Sequence, residues 1–219
     1  DIKDIKHPIV KQLLKKYGFE NTGLDISYIG DLPGGSGMGS SSSFTAALLL
    51  ALKTQLNETI TPYELSNLSY DVEKNLLKET VGIQDQIATS FGGFNKVEIA
   101  KDGNFEVVPV NMSSKCLNNF LERMVLVYTG TTRRATEVAS KKVGNMKNKS
   151  LDYRKLYEMV SYAHSLLLSN DFDTFGELMH EAWKIKRELS NVMSNTIIDD
   201  IYNLGVSNGA LGGKLLGAG

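Results

Sequence analysis

The amino-acid sequence predicts an α+β fold, and two observations favour it over a doubly wound α/β sheet. Apolar residues at helical spacing recur along both halves of the chain, whereas the segments that alternate like strands are few and short. Strands and helices also follow one another without the regular strand–helix–strand alternation that builds a parallel sheet. With 219 residues, the chain is long enough for one large domain or two small ones with a real core.

The first predicted elements follow from local signals. Residues 8–17 are typical of a short helix, with a proline in its first turn and a glycine just past its end. Residues 24–29 alternate well enough to predict a strand. Residues 30–39 are a predicted loop, and residues 40–53 form a helix that is apolar almost all round and is therefore expected to be buried.

A capping signal marks the start of the next helix. Thr61 can cap it, Pro62 suits its first position, and Glu64 stands where a capping box needs an acidic residue. The apolar stripe of this helix consists of Leu65, Leu68, Val72 and Leu76. A turn around Gly82 then leads to a second short helix that ends at Gly92.

The second half is predicted to hold three strands and several helices. Residues 97–99 and 105–110 form a pair around an Asp-Gly turn, and residues 124–128 form a further strand. Residues 129–132 are a turn before a helix that begins near Arg133. Apolar stripes predict three more helices, at 156–167, 175–189 and 197–204.

Bulk composition excludes several classes of function. The formal net charge is −1 and no basic run with interleaved aromatic residues occurs, so neither nucleic acid nor an anionic membrane is expected as a partner. Cys116 is the only cysteine, which excludes an intrachain disulfide and a cysteine metal cluster. No apolar run is long enough to span a bilayer and no signal peptide is visible, so a cytoplasmic protein is predicted. Because the chain starts at Asp1 and stops inside a glycine-rich stretch, we expect a fragment or unplaced termini.

A glycine- and serine-rich segment, Pro33–Ser43, lies between the predicted strand and the predicted buried helix. A helix N-terminus leaves backbone N–H groups unpaired and carries partial positive charge. Glycines let the backbone approach an anion closely, and four serines at the helix start add hydroxyl donors. The segment is therefore predicted to cradle phosphate groups.

Two better-known phosphate loops are excluded. A Walker A loop ends in Gly-Lys-Ser or Gly-Lys-Thr, and no lysine lies between Asp31 and Leu52. A dinucleotide-binding Gly-x-Gly-x-x-Gly would need glycine at position 40 or 42, and both residues are serine. A flexible structural loop is the remaining alternative, because glycine-rich loops alone are weak indicators of function.

Three segments together resemble the GHMP kinase superfamily. Pro33–Ser43 resembles the family's second motif, Pro-x-x-x-Gly-Leu-Gly-Ser-Ser, with Met38 in the leucine position. Glu73, followed by Gly82-Ile83-Gln84-Asp85-Gln86, resembles the family's metal-binding glutamate and catalytic aspartate. Gly213–Gly219 resembles the start of the third motif, which is cut short here. The resemblance runs from about residue 24 to the end, and the family's first motif would lie N-terminal to it.

The resemblance implies a two-lobed GHMP kinase fold. Residues 1–120 would form the ATP-binding N-terminal domain, which resembles domain 2 of ribosomal protein S5. Residues 121–219 would form the C-terminal domain, with a ferredoxin-like fold. The family further implies ATP and Mg²⁺ as cofactors, and a homodimer is left open.

The resemblance also assigns the nucleotide and the metal to particular residues. Mg²⁺ is expected on Ser41 and Glu73, because it takes oxygen ligands and few of them from the protein. A one-residue shift leaves Ser40 and Ser42 open as the metal ligand, and helix capping is the alternative role of any one serine. The alternative for Glu73 is a solvent-facing carboxylate beside a lysine. The phosphates are expected on Pro33, Gly34, Gly35, Ser36, Gly37, Met38, Gly39, Ser40, Ser41 and Ser42.

Asp85 is the implied general base, facing the acceptor hydroxyl. Its alternative role is that of a carboxylate near a helix N-terminus, satisfied by the helix dipole. Arg133, Arg134 and Gly217 are expected at the substrate, since arginine side chains suit a phosphate group. The alternative for the two arginines is a solvated surface pair.

The sugar branch of the superfamily is the most similar, and within it the kinases of D-glycero-D-manno-heptose phosphates. This resemblance implies transfer of the γ-phosphoryl group of ATP to the C1 hydroxyl of a sugar or sugar phosphate such as a heptose 7-phosphate. Two alternatives stay open. One is a non-catalytic nucleotide- or anion-binding module, and the other is an enzyme of this fold that acts on a non-sugar acceptor, including a decarboxylase.

Overall fold

The computed structural model describes residues 2–31, 34, 36–130, 149–189 and 193–217. These residues form two compact units, which divide between Gly92 and Gly93. The predicted α+β class is confirmed, because helices dominate both units and the one sheet of the described residues is small. The predicted boundary between the two family domains, at residue 120, stays a prediction.

The first unit is helical throughout its described residues. Its elements are α1 (Pro8–Lys16), α2 (Ser40–Gln55), α3 (Pro62–Asp71), a π-helical turn (Val72–Leu76) and α4 (Gln84–Phe91), with a short 3₁₀ turn (Ile2–Asp4) before α1. The core consists of apolar side chains from α1, α2 and α3 that meet Val72 of the π-helical turn. The helices predicted in this half of the sequence are therefore confirmed.

Helix α2 is the centre of this unit, since it packs against α1, α3 and α4. Leu49 is fully buried, and so is Thr45, whose hydroxyl donates to the carbonyl of Ser41 at 3.0 Å. The prediction that this helix is buried all round is wrong for its outer face, where Leu50 is exposed. One face of α2 still meets three other helices, and this fixes the position of its N-terminus.

The capping box predicted at the start of α3 is confirmed. The Thr61 hydroxyl accepts from the Glu64 N–H at 3.2 Å, and the Thr61 N–H donates to Glu64 Oε2 at 2.8 Å. Pro62 occupies the first helical position, where its missing N–H has no helical partner to lose. These contacts fix where α3 begins and hence which of its side chains face the core.

Helix α3 runs directly into the π-helical turn. The N–H of Leu77 donates to the carbonyl of Val72 at 2.9 Å, a spacing of five residues instead of four. Such turns insert one extra residue into a helix and are frequent at functional sites. In this turn, Val72 and Glu73 are both buried.

The second unit combines one antiparallel strand pair with four helices among its described residues. These elements are β1 (Asn95–Ile99), β2 (Phe105–Pro109), α5 (Ser114–Glu122), α6 (Ser150–Ser169), α7 (Phe172–Glu188) and α8 (Thr196–Ser207). Val97 lies opposite Val107 in the pair, which confirms the predicted hairpin. Helix α5 is an addition to the sequence prediction. Its signal was Ser113, whose hydroxyl accepts from the Cys116 N–H at 3.2 Å.

Two predicted strands are wrong. Residues 24–29 and 124–128 are described, and neither segment forms a strand. Their alternating apolar residues lack a hydrogen-bonded neighbouring strand within the described chain, so the side chains stay at the surface. Ile29 is 92% exposed and Val125 is 84% exposed. Strand propensity predicts an extended backbone here, but a strand also needs a partner.

The C-terminal glycine-rich segment lies against α7 in the second unit. A Cβ atom on Gly212 would overlap the carbonyl oxygen of Gly176 and come within 2.6 Å of the backbone nitrogen of His180. The Lys186 ammonium donates to the carbonyl of Leu215 at 3.2 Å. Backbone-to-backbone contact at one end and this hydrogen bond at the other hold the segment on the helix.

None of the described helices combines the length and the apolar character needed to cross a membrane.

We expect Gly212→Ala to destabilise the protein, because the added methyl group meets the rigid backbone of α7. Overpacking of this kind costs typically about 1–3 kcal/mol. Gly213→Ala is the matched control, since the nearest atom to its Cβ would be Tyr202 Cε2 at 3.8 Å. Urea unfolding of both variants measures the difference. Equal stability of the two would contradict the close contact.

Candidate active site

The start of α2 is a helix N-terminus without a side-chain cap. Gly39 occupies the cap position in the left-handed conformation, with φ of +70°, which glycine adopts without strain. The first helical hydrogen bond runs from the Ser43 N–H to the Gly39 carbonyl at 2.9 Å, so the amides of residues 40–42 have no partner inside the helix. The buried hydroxyl of Ser36 also lacks a hydrogen-bond partner among the described residues. This end of α2 therefore has the donors that an anionic ligand needs.

Glu73 is a buried carboxylate between α2 and α4. Its residue is 2% exposed. Its Oε2 accepts two hydrogen bonds, from the Ser42 hydroxyl at 3.2 Å and from Gln86 Nε2 at 2.9 Å. Its Oε1 is buried and has no hydrogen-bond partner among the described residues. Burial raises the pKa of the Glu73 carboxyl, as does the nearby charge of Glu79. The Ser42, Gln86 and Thr45 side chains oppose that rise by hydrogen bonding.

The free oxygen of Glu73 fits a hard cation. A buried carboxylate oxygen without a partner is costly, and a divalent cation would supply the missing partner. The described residues hold no cluster of three or more histidine, cysteine or acidic side chains. Mg²⁺ takes one or two protein carboxylates and completes its shell with water and substrate phosphates, so the single unpaired oxygen of Glu73 fits it. Glu73, with a serine hydroxyl of α2, would hold such an ion.

The serine that contacts Glu73 is Ser42. Ser41, which the family resemblance favours as a metal ligand, has an exposed side chain on the outer side of the same helical turn. Successive residues of a helix point about 100° apart, so only one of the serines can face the buried carboxylate. The assignment of Ser41 to the metal stays a prediction, and the contact observed for Ser42 supports the shifted alternative.

Asp85 lies in the first turn of α4, and its side chain stands close to the start of α2. A Cβ atom on Gly39 would lie 3.6 Å from Asp85 Cβ and 3.8 Å from its Oδ2. The carboxylate is exposed, yet the protein around it raises its pKa by partial desolvation. No hydrogen bond to this carboxylate occurs among the described residues. An acidic side chain without a hydrogen-bond partner among the described residues thus stands beside the start of α2.

Gln86 is the site residue that the sequence interpretation missed. It is 1% exposed and donates to Glu73. Its signal was its spacing, because it lies three residues after Ile83 and one before the buried Ile87, on the inward face of α4. The sequence interpretation treated it only as part of the motif around Asp85.

Other predicted site residues include four that lie outside the described residues and one, Gly217, in the second unit. Pro33 and Gly35 of the loop, and Arg133 and Arg134, lie outside the described residues. Gly217 is described, is exposed and follows the segment that Lys186 holds. Its contact with a substrate stays a prediction.

Comparison with known proteins gives consistent matches along the chain. The family model for the GHMP kinases N terminal domain matches residues 5–93, and that for GHMP kinases C terminal matches residues 163–219. A D-glycero-alpha-D-manno-heptose 7-phosphate kinase from Campylobacter jejuni is 30% identical over 218 residues, which are 99% of this chain and 64% of the relative. A galactokinase from Clostridium perfringens is 26% identical over 95% of this chain and 52% of its own length.

A solved structure agrees with these relatives. The crystal structure of a D-glycero-D-manno-heptose 1-phosphate kinase from Bacteroides thetaiotaomicron has a TM-score of 0.68 and 26% sequence identity. The match covers 97% of this chain and 60% of that protein. The chain thus spans between about half and two thirds of the length of these three proteins.

We expect Glu73→Gln to stabilise the metal-free protein at pH 8. The wild-type carboxylate is then charged and buried with one unpaired oxygen, which costs about 1–3 kcal/mol. Because burial raises the folded-state pKa of Glu73, the contribution of this group to stability is fully present below its unfolded pKa and is lost as pH rises through its folded pKa. The gain of the variant should therefore shrink as the pH is lowered.

Urea unfolding with EDTA between pH 5 and pH 8 measures this dependence. Glu20→Gln is the matched control, since Glu20 lies in the same unit with an exposed side chain. It should leave stability nearly unchanged at every pH. A Glu73→Gln variant less stable than wild type at pH 8 would show that the free oxygen carries no cost.

Proposed function

Since the chain belongs to the GHMP kinase family, we propose that it transfers the γ-phosphoryl group of ATP to a hydroxyl group of a sugar or sugar phosphate. One arrangement carries this proposal. The uncapped N-terminus of α2 lies beside the exposed carboxylate of Asp85 and one turn from the contact between Ser42 and the buried Glu73. Phosphoryl transfer needs these three groups together, a phosphate site, a metal ligand and a proton acceptor.

The phosphates of ATP bind at the start of α2 in this proposal. The amides of residues 40–42 and the hydroxyl of Ser36 donate to phosphate oxygens. Glu73 and a serine hydroxyl of α2 would hold Mg²⁺, and the ion would supply positive charge that neutralises the phosphates. The close contact of α2 with α3 and α4 keeps these donors in place during the reaction.

Asp85 acts as the general base in this proposal. Its carboxylate accepts the proton of the acceptor hydroxyl while that oxygen forms a bond to the γ-phosphorus and the bond to the β–γ bridging oxygen of ATP breaks. A raised pKa makes a carboxylate a stronger base, and the direction observed for Asp85 is upward. The products are ADP and a phosphorylated sugar.

The proposed acceptor is a heptose 7-phosphate, phosphorylated at its C1 hydroxyl. Support comes from the names of the relatives, which include a heptose 7-phosphate kinase and a heptose 1-phosphate kinase. Arg133 and Arg134 would contact the acceptor phosphate in this proposal, together with Gly217. The galactokinase relative supports the coarser statement that the acceptor is a sugar.

A binding module without catalysis is the competing function. Nucleotide binding alone requires neither a buried carboxylate with a free oxygen nor a second carboxylate beside the phosphate site. Both are present here, as Glu73 and Asp85. Product analysis with ATP separates the classes. ADP with a sugar phosphate supports the kinase, ADP with CO₂ indicates a decarboxylase, and neither indicates the binding module.

We expect Asp85→Asn to lower kcat by about 10²–10⁴-fold, because the amide cannot accept the proton of the acceptor hydroxyl. ATP affinity should change little, since the Asp85 carboxylate makes no hydrogen bond to any of the described loop residues. A coupled assay of ADP release with a panel of sugars and sugar phosphates measures the first quantity, and calorimetry the second. A wild-type kcat in this variant would exclude Asp85 as the base.

We expect Gly39→Val to weaken ATP binding roughly tenfold or more, because a β-branched residue at a φ of +70° is strained by about 1–3 kcal/mol. The strain would shift the amides that begin α2. Gly23→Val is the matched control, since its Cβ would meet nothing within 4 Å and its φ is not in the left-handed range. Calorimetric titration with ATP compares the two variants. Equal affinities would argue against a phosphate site at the start of α2.

A further inference from the structure

Gln86 is a buried polar residue with no part in the proposed chemistry. Its residue is 1% exposed, and it follows Asp85 directly in the first turn of α4. Its amide nitrogen donates to Glu73 Oε2 at 2.9 Å across thirteen residues of sequence. Its own Oε1 has no hydrogen-bond partner among the described residues. A buried amide that is only half satisfied destabilises a fold, so its retention needs an explanation.

The two hydrogen bonds to Glu73 converge on one oxygen. Ser42 donates from α2 and Gln86 from α4, both to Oε2, and Oε1 receives neither. A carboxylate held in this way cannot rotate about its last bond without breaking both contacts. The oxygen that remains free thus has a fixed direction, which an isolated carboxylate would not have.

We propose that Gln86 is a positioning residue, which holds the Glu73 carboxylate so that its Oε1 stays available to a divalent cation. This inference rests on the proposed function, because the cation is the one that would accompany ATP. It adds a role for a residue whose neighbour, Asp85, is the proposed base. One turn of α4 would then place both acidic groups, one directly and one through Gln86.

Simple space-filling does not account for Gln86. An apolar side chain of the same length would fill the volume without burying an amide, and it would leave no unpaired Oε1 on residue 86. An apolar residue would lack the amide N–H group that donates a hydrogen bond to Glu73. Gln84, on the other side of Asp85, has the same side chain but is exposed, and it makes no such contact. Gln84 is therefore a matched control for substitutions of Gln86.

The experiment compares Gln86→Met with Gln84→Met in the intact protein. Mn²⁺ serves as the probe, and water-proton relaxation measures its dissociation constant in the complex with ADP. Calorimetry with EDTA measures the affinity for metal-free ADP, and thermal unfolding measures Tm. We expect Gln86→Met to weaken Mn²⁺ binding by about 10-fold, the lower end of the range for residues that orient a metal ligand. Metal-free ADP affinity should stay unchanged, and Gln84→Met should match wild type in both measurements.

Three results would overturn the inference. Wild-type Mn²⁺ affinity in Gln86→Met would show that Glu73 binds the cation equally well without the hydrogen bond from Gln86. A parallel loss of metal-free ADP affinity and of Mn²⁺ affinity would show a general structural role. Absence of Mn²⁺ binding in the wild-type ADP complex would remove the ion that Gln86 is proposed to serve. Failure of the proposed function is distinct from these, since it would appear as intact Mn²⁺–ADP binding without phosphorylation of any sugar.

A second variant keeps the test decisive if Gln86→Met does not fold. The double exchange Glu73→Gln with Gln86→Glu restores a carboxylate–amide pair with donor and acceptor reversed. Because the hydrogen bond is retained, Tm should lie near that of wild type. Because the carboxylate has moved to α4, Mn²⁺ affinity in the ADP complex should still fall. Retention of wild-type Mn²⁺ affinity in this variant would contradict the proposal.

Discussion

The buried carboxylate of Glu73 is the interaction on which the rest of the first unit depends. A charged group that is 2% exposed persists only where other groups surround it with donors, and Ser42 and Gln86 supply them from two different helices. Each donor fixes the helix that carries it. Helices α2 and α4 are thereby tied to the π-helical turn at one point, and the start of α2 and Asp85 lie beside this point.

Local features of the backbone place Glu73 where Ser42 and Gln86 can reach it. The capping box at Thr61 sets where α3 begins, and hence the rotation of every residue that follows. The Val72 N–H still donates to the carbonyl of Leu68, so α3 keeps its ordinary register up to the π-helical turn. Val72 and Glu73, at the beginning of that turn, are both buried. The burial of Glu73 is therefore a property of the backbone around it as much as of its side chain.

The limits of prediction from the sequence follow from the range of the interactions involved. The capping box and the hairpin between β1 and β2 were predictable because their signals lie within a few residues of each other. The segments at 24–29 and 124–128 were mispredicted as strands because strand formation requires a partner that the residues themselves do not encode. The contacts of Ser42 and Gln86 with Glu73 join residues far apart in the sequence. Motif resemblance pointed to the segments that carry the candidate site, but it left open which serine of four faces the carboxylate.

The contrast between the two carboxylates is consistent with the two roles proposed for them, a metal ligand for Glu73 and a proton acceptor for Asp85. Desolvation raises the pKa of both Glu73 and Asp85, so the direction of the pKa shift does not separate their roles. Hydrogen bonding does, because Glu73 accepts two bonds on one oxygen whereas Asp85 accepts none among the described residues. A group held by two donors keeps its position, which suits a metal ligand. A group without donors can gain and lose a proton with little rearrangement, which suits a base. Gln86 connects the two carboxylates, because it donates a hydrogen bond to Glu73 and directly follows Asp85 along α4.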